Sequence, residues 1–324
     1  MKARWTLVGI AISGFIAGYS SMSQAQNYPA QTVRVVVAYP PGGPTDLIAR
    51  LIAQRLSETV GQQFLIENRG GSNGVIGTEL VVRSKPDGYT LLLGTSSLAS
   101  NGSLYAKLPY DAARDLTPIS LTASTPYFLA VNASLPVNSV KELIAHAKSR
   151  PGQLHFGSAG NGSGPHLAGE MFSVETGVKM VHVPYKGTGP ASADVAGGQI
   201  QLIFVGLPAL NPHVKSGRVR LLAVAESKRV SLTPDLPTVA EAGVPGFESS
   251  AWFAFFGPAG MPKELPVRIA GEVTKVMQSK DIQEKMTGFG AVPLWSTPAQ
   301  FETYFREEAM RYARLIKAAN VVID

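Results

Sequence analysis

Two glycine-rich segments carry the clearest chemical signal in this sequence. The first is 39–46 (YPPGGPTD), and the second is 157–166 (GSAGNGSGPH). Each follows an apolar run typical of a buried strand and precedes a pattern typical of a helix. Glycine lets the backbone approach a ligand closely, and the first turn of a helix offers unpaired N–H donors and a partial positive charge. The two segments therefore predict a pair of anion-binding loops that need no charged side chain.

Further polar residues follow the ends of predicted strands, where ligands bind in open α/β sheets. The segment 94–97 (GTSS), with Thr95 and Ser96, follows the strand predicted at 89–93 and offers hydroxyl groups, and Gly206 follows the strand predicted at 202–205. The segment 185–188 (YKGT) follows the strand predicted at 180–184, and Lys186 offers a cation to an acidic ligand. His166 stands at the start of the helix after the second glycine segment. Its expected role is either to contact ligand or to brace the loop.

Catalytic and cofactor motifs are scarce in this sequence. There is no cysteine, and the five histidines, at positions 146, 155, 166, 182 and 213, lack a metal-binding spacing. Neither glycine segment has the Gly-Lys-Ser/Thr ending of a P-loop or the spacing of a dinucleotide fingerprint. An enzyme would need an acid–base pair in the cleft, and Asp46 with His166 is the only such pair that the sequence suggests. We therefore expect no catalytic residue, no metal and no cofactor.

The first 25 residues have the pattern of a secretory signal peptide. Lys2 and Arg4 precede an apolar stretch at 5–18, and the segment then ends in a small-residue site at Ala25. The apolar stretch is short for a membrane span. The pattern predicts export with cleavage near Ala25, and an uncleaved anchor is the alternative.

The net charge of the chain is mildly positive. The formal charge is +6, and removing the two basic residues of the predicted signal peptide leaves +4. Lysines and arginines are scattered rather than clustered, which excludes the concentrated basic face that nucleic-acid binding requires. A mild positive field favours small anions as ligands.

The order of predicted elements indicates an α/β fold with two doubly wound lobes. Strands alternate with helices in two series, which is typical of parallel sheets with crossover helices. The chain crosses between lobes near 122–126 and returns near 225–228, so the predicted architecture has a two-segment hinge and a ligand cleft between the lobes. The predicted boundaries are 26–123 with 228–324 for lobe 1, and 124–227 for lobe 2. The apolar stripe of the last helix is expected to face the core.

Several ordered motifs resemble a known family over essentially the whole chain after residue 25. They are YPPGGPTD at 39–46, ENRGGSNGVIG at 67–77, KPDGYT at 85–90, VPYKG at 183–187 and GGQ at 197–199. These motifs are similar to those of the substrate-binding proteins of tripartite tricarboxylate transporters, also called Bug receptors.

The resemblance implies a type II periplasmic binding protein that closes over a small carboxylate, held by backbone amides and two ordered waters. It also implies a monomer in the periplasm that serves membrane permease subunits or a sensor kinase. The candidate ligand-binding residues, from the residue patterns and the resemblance together, are Tyr39, Gly42, Gly43, Thr45, Asp46, Thr95, Ser96, Ser158, Ala159, Gly160, Ser163, His166, Tyr185, Lys186, Gly187 and Gly206.

One segment departs from the pattern of the family. Gln201 and Val205 stand where that pattern commonly has aspartate. A carboxylate near the cleft would favour a ligand with an ammonium group, so its absence predicts a carboxylate ligand without an α-amino group. Two other functions remain open: a periplasmic enzyme that processes carboxylates on the same scaffold, and a protein-interaction module with an emptied cleft. The identity of the carboxylate and the choice between transport and sensing also remain open.

Overall fold

The computed structural model describes residues 28–321 and 323, so the predicted signal peptide lies outside the described residues. The strands are β1 Val33–Val37, β2 Phe64–Asn68, β3 Thr90–Thr95, β4 Leu116–Asn132, β5 Leu154–Ser158, β6 Met180–Pro184, β7 Leu202–Gly206, β8 Val219–Val224, β9 Ser250–Pro258 and β10 Val292–Pro293. The helices are α1 Pro44–Val60, α2 Val75–Val82, α3 Ser97–Leu104, α4 Ala112–Asp115, α5 Val140–Ser149, α6 Gly164–Thr176, α7 Thr188–Gly197, α8 Leu207–Lys215, α9 Glu264–Met277, α10 Lys280–Gly288 and α11 Pro298–Ala319. Within this described part, no helix is both long enough and apolar enough to cross a membrane.

The strands form two α/β units that share one long strand. In the first unit the strand order is β2-β1-β3-β9-β4, with β1, β2 and β3 parallel and β9 antiparallel to its neighbours. In the second unit β4 pairs with β7, which continues to β5 and β6, and β8 pairs with the other edge of β4. This arrangement confirms the predicted α/β fold with two lobes.

Strand β4 is the first connection between the lobes. Its residues up to Pro126 pair with β9, and its residues from Tyr127 onward pair with β7 and β8. The sequence predicts an extended, proline-punctuated connection there, and the structure makes it one continuous strand of 17 residues. The second connection lies beside it, because the N–H of Ala225 donates to Tyr127 O at 2.7 Å and the N–H of Ser249 donates to Ala225 O at 2.8 Å.

The segment 228–249, which the sequence analysis assigns to lobe 1, packs on the second lobe. Thr238 forms a β-bridge with Val224, and the Phe247 ring lies 6.1 Å from that of Phe172 and 5.5 Å from that of Phe204. These contacts favour a return to the first lobe at Ser250 rather than near Lys228.

The C-terminal third completes the first lobe. Strand β9 (SAWFAFFGP) is nearly continuous in apolar residues because it lies in the middle of the sheet. Phe301 and Phe305 of α11 pack on Trp252 and Phe256 of β9, with ring centres 5.0–6.1 Å apart. The prediction that the stripe of this helix faces the core is thus confirmed.

Candidate functional site

A cavity of about 420 Å³ lies where the two lobes meet. Both glycine segments, several strand ends and the hinge strand β4 contribute to its walls. The polar side chains that line it are Tyr39, Thr45, Asn73, Thr95, Ser96, Ser97, Ser100, Thr125, Tyr127, Ser163, Thr188 and Tyr312. Among the described residues, no aspartate, glutamate, lysine, arginine or histidine lines this cavity. Hydroxyl groups and backbone amides therefore dominate its chemistry.

Three hydroxyl groups form a cluster in the wall of the first lobe. Tyr39 Oη lies 2.9 Å from Thr95 Oγ1 and 2.6 Å from Ser97 Oγ, and the last two oxygens are 2.9 Å apart. Burial raises the pKa of Tyr39, so its phenol stays protonated. Since every hydroxyl can donate as well as accept, the cluster is able to turn a proton toward an anion in the cavity.

The first glycine segment is held from behind by Asp46. The Asp46 carboxylate accepts from the N–H of Gly42, from Arg50 Nε and from Asn68 Nδ2, each at 2.9 Å. Burial alone would raise the pKa of Asp46, but these hydrogen bonds lower it below its usual value. Gly42 has a φ of +84°, which favours glycine. Asp46 therefore shapes the loop and does not face the cavity.

The second glycine segment is held in a similar way by hydroxyl groups and by histidine. Ser158 Oγ accepts from the N–H of Gly160 at 3.1 Å and lies 2.6 Å from His182 Nε2. Ser163 Oγ donates to Gly160 O at 2.7 Å. Ser158 is fully buried, whereas Ser163 and the backbone at Ala159 reach the cavity. The loop thus presents small residues to the ligand space and keeps its bracing groups behind it.

Five helices begin at or beside the cavity. They are α1, α3, α6, α7 and α8, and the residue that precedes each of them has no side-chain hydrogen bond to the first turn. Outside the cavity lining, Ser139 caps α5 and Thr297 caps α11, and the starts of α2, α9 and α10 also lack a side-chain cap. Uncapped helix starts leave N–H donors and a partial positive charge available to an anion.

Apolar residues form the remaining walls and the mouth. They include Leu167, Val205, Phe253 and Phe289, and the last is 42% exposed at the edge of the cavity. The two lobes are in contact at the mouth, where Gly290 of the first lobe packs against Pro208 of the second. The contact is so close that a Cβ at position 290 would lie only 2.8 Å from Pro208. The cavity therefore suits a ligand that has both an anionic group and an apolar body.

The structure places the sixteen predicted binding residues in two groups. Seven line the cavity: Tyr39, Thr45, Thr95, Ser96, Ala159, Ser163 and Gly206. The other nine lie behind or beside the lining: Gly42, Gly43, Asp46, Ser158, Gly160, His166, Tyr185, Lys186 and Gly187. Tyr185 Oη donates to Asp194 at 2.7 Å, and burial together with Asp194 raises the pKa of Tyr185 to about 12. Lys186 is exposed.

Sequence reasoning did not single out several lining residues. Ser97 and Thr188 belong to the polar segments predicted after two strand ends, but they are not among the sixteen residues predicted to bind ligand. Tyr127 and Tyr312 carry no local signal, because β4 and α11 reach the cavity only through the tertiary fold.

A cluster of carboxylates surrounds Arg311 beside the second hinge connection. Arg311 Nη2 lies 2.7 Å from Glu308 Oε1, and Arg311 Nη1 donates to the carbonyl oxygen of Glu248. Trp252 Nε1 also donates to Glu308, at 3.2 Å. Glu226 Oε1 is buried without a hydrogen-bond partner. Burial and the nearby charge of Glu248 raise the pKa of Glu226 to about 7.

This shift predicts a pH dependence of stability. Since the folded protein binds the Glu226 proton more tightly than the unfolded chain, stability is lost as the pH rises from about 4.5 through about 7. We expect Glu226→Gln to remove a drop on the order of 2 kcal/mol between pH 5.5 and pH 8, or roughly 5 °C in Tm. Thermal unfolding of both proteins at the two pH values measures it. Glu284→Gln, at an exposed site, is the control, and a drop that persists in Glu226→Gln contradicts the prediction.

Comparison with known proteins gives consistent matches over nearly the whole chain. The family model described as "Tripartite tricarboxylate transporter family receptor" matches residues 48–321. Protein BugT of Bordetella pertussis is 38% identical over 313 residues, which cover 96% of this chain and 95% of BugT.

Solved structures give similar matches. The structure described as R. palustris Rpa4515 with adipate has 39% identity and a TM-score of 0.80, covering 91% of this chain and 100% of its own. MatC from Rhodopseudomonas palustris with bound malate has 30% identity and a TM-score of 0.74, covering 89% and 100%.

Proposed function

Because this chain belongs to the tripartite tricarboxylate transporter receptor family, we propose that it is an exported solute-binding receptor that closes its two lobes over a small organic carboxylate. One observation carries the proposal: a cavity between the lobes is lined by hydroxyl groups and helix starts but, among the described residues, by no ionisable acid or base other than tyrosine. The cavity also has space and hydrogen-bond donors for a small ligand. This favours a ligand-binding receptor over a protein-interaction module that has lost its ligand site.

A carboxylate is the anion that this chemistry fits best. Hydrogen bonds to a charged group are stronger than those between neutral groups, so several hydroxyl and amide donors can replace a cation. Closure of the lobes excludes water and lowers the local dielectric, which strengthens these bonds further. The hydroxyl cluster of Tyr39, Thr95 and Ser97 and the starts of α1 and α6 supply donors from both lobes.

The ligand we propose has no ammonium group. Val205, at a position where the family pattern commonly has aspartate, lines the cavity and leaves an apolar surface there. Gln201 is engaged elsewhere, since its Oε1 accepts from the N–H of His155 at 2.8 Å. The adipate and malate named with the two solved relatives are both carboxylates without an amino group.

The biological role that we propose is delivery rather than catalysis. Asp46 and His166, the one acid–base pair considered from sequence, both lie behind their loops and outside the lining. The N-terminal pattern of residues 1–25 supports export to the periplasm, with cleavage near Ala25. There the receptor would act as a monomer and present its ligand to membrane permease subunits or to a sensor kinase.

A paired thermal-shift screen tests the proposal. The protein lacking residues 1–25 is heated with adipate, malate, succinate, glutarate, aspartate and glutamate. We expect a carboxylate to raise the Tm, with about 2.7 kcal/mol of stabilisation at a hundredfold excess over Kd. Glutarate and succinate should stabilise more than glutamate and aspartate, because the described lining of the cavity has no carboxylate to pair with an ammonium group.

The matched pairs make the result specific. Each amino acid differs from its partner acid only by the α-amino group, so equal shifts within a pair contradict the preference for ligands without ammonium. Conversion of a bound acid to product, followed by NMR, would favour an enzyme instead. A flat screen, extended to tricarboxylates and aromatic acids and made with protein that carries no copurified acid, would favour the alternative of an emptied cleft.

A further inference from the structure

Two stacked imidazoles lie behind the second glycine segment. The rings of His166, from α6, and His182, from β6, have centres 3.7 Å apart and are inclined by only 12°. Phe156 of β5 packs against both rings, at 6.3 Å and 5.0 Å. His166 is buried and does not line the cavity, so it acts on a ligand only through the loop in front of it.

The hydrogen bonds of His166 define which nitrogen carries its proton. His166 Nδ1 accepts from the N–H of Gly162 at 3.0 Å, so Nδ1 is unprotonated. The proton of the neutral ring then sits on Nε2, which faces Glu170 Oε1 at 3.5 Å. A second proton could enter only at Nδ1, where it would face the N–H of Gly162. Two donors would then point at each other, and the buried amide would lose its acceptor.

The loop that this bond holds is part of the ligand cavity. Ala159, Gly162 and Ser163 all line the cavity, and Gly162 lies between the other two in sequence. Gly162 has a φ of +70°, and it packs so closely on Ile323 that a Cβ at this position would collide with the Ile323 side chain. The backbone at Gly162 therefore has little room to move independently of its neighbours. Loss of the hydrogen bond at its N–H would shift the backbone that faces the ligand.

The other titratable groups around the ring are Glu170 on the same helix and His182 on β6. Glu170 Oε1 lies 3.5 Å from His166 Nε2, and the His182 ring stacks on the imidazole. Burial, together with the neighbouring His166, lowers the pKa of His182 to about 4. His182 therefore stays neutral near pH 6 and keeps its contact of 2.6 Å with Ser158 Oγ.

We infer that His166 is a positioning residue, whose neutral Nδ1 holds the second glycine segment in its ligand-binding shape and whose protonation releases it. The consequence for ligand affinity rests on the function proposed above, whereas the consequence for the loop does not. Binding of a carboxylate would then be weaker when the imidazole carries a second proton.

The first experiment needs no ligand. NMR of the protein lacking residues 1–25 follows the His166 ring and the exchange protection of the Gly162 amide, relative to its intrinsic rate, at pH 8 and pH 5.5. Asparagine places an acceptor near the position of Nδ1, whereas glutamine places it near Nε2. We therefore expect His166→Asn to keep the Gly162 amide protected at both pH values and His166→Gln to lose protection by about tenfold at both.

In the wild-type protein, the Gly162 amide should be as protected as in His166→Asn at pH 8. Once the ring is charged, its protection should fall about tenfold, to the level in His166→Gln. A ring that is charged without loss of Gly162 protection overturns the inference, as does a ring that stays neutral at pH 5.5 or a proton on Nδ1 at pH 8. If His166→Gln fails to fold, the comparison of wild type with His166→Asn across pH still decides.

The second experiment measures adipate affinity by calorimetry for wild type and His166→Asn at both pH values. Taking the ratio of the two affinities at each pH cancels the titration of adipate itself. We expect nearly equal affinities at pH 8 and about tenfold weaker binding to wild type at pH 5.5. Equal affinities at both pH values, together with an unprotected Gly162 amide, refute the link to binding. If no variant binds adipate but the amide behaves as expected, the positioning role is supported and adipate fails as a ligand of the proposed receptor.

Discussion

The Thr188→Asp variant is expected to bind carboxylates about a hundredfold more weakly than Thr188→Asn. Thr188 lines the cavity at the first position of α7. Two carboxylates about 5 Å apart repel by roughly 3 kcal/mol at the effective dielectric of a partly buried site, which corresponds to about a hundredfold in Kd. Calorimetry with the acid that gives the largest shift in the screen measures the difference.

The two variants form a matched pair, since asparagine and aspartate have the same shape and differ in charge. A negative charge at the start of a helix is favourable, so Thr188→Asp should keep the stability of the folded protein. Thr188→Asn is expected to stay within tenfold of wild type. If Thr188→Asp and Thr188→Asn bind the acid equally, the anionic group of the ligand does not lie near the start of α7.

A cavity without charged side chains discriminates by geometry rather than by sign alone. A lysine or arginine would attract many anions. Hydroxyl groups and helix starts bind tightly only an anion whose oxygens lie within hydrogen-bonding distance of the donors. The apolar walls at Leu167, Val205 and Phe253 then select the body of the ligand. Members of one family can therefore take different acids on a shared backbone, through changes in these walls.

The local elements of this fold could be read from the sequence because their signals are local. The boundaries of α1 and α6 are set by Gly-Pro starts and by a glycine that ends each helix, at Gly61 and Gly177. The sequence does not predict strand β9, because its apolar residues follow a turn-rich segment that hides the change to a strand buried in mid-sheet.

The site was only partly predictable, for a related physical reason. A glycine-rich segment predicts a loop near a ligand, but its sequence does not indicate which of its atoms face that ligand. Asp46 and Ser158 have the chemistry of binding residues, and both instead hold their loops through hydrogen bonds to the backbone. Tyr127 and Tyr312 reach the cavity from β4 and α11, so their positions depend on the packing of the two lobes.

Arg311→Met is expected to cause a large loss of stability, about 3 kcal/mol at pH 8. Arg311 is the cation that faces the carboxylate of Glu308 and the carbonyl oxygen of Glu248, and the Glu308 side chain is only 9% exposed. Removing one partner of a buried ion pair leaves the other charge uncompensated, which typically costs 3–5 kcal/mol, and the partial exposure of Arg311 places this pair at the lower limit. Urea unfolding of wild type and variant at pH 8 measures the loss.

The pH dependence separates charge from packing in this variant. Burial raises the pKa of Glu308 even with Arg311 present, so without the arginine this carboxyl should take up a proton at a still higher pH. The loss should therefore be smaller at pH 5.5 than at pH 8. Arg314→Met, at an exposed site on the same helix, should change stability by less than about 0.5 kcal/mol.

The Glu308→Gln/Arg311→Met double variant decides what the cluster contributes to the hinge. Removing both charges also removes the carboxylate that is ion-paired with Arg311, so only the more distant charges of Glu226 and Glu248 lose their cation, and the double variant should be more stable at pH 8 than Arg311→Met alone. If it is equally unstable, the loss comes instead from the packing of Arg311 over the Tyr312 ring, whose centre lies 5.4 Å from the guanidinium carbon. Because Tyr312 lines the ligand cavity, that outcome would make Arg311 a support of the cavity wall, and weaker binding of the acid at every pH would accompany it.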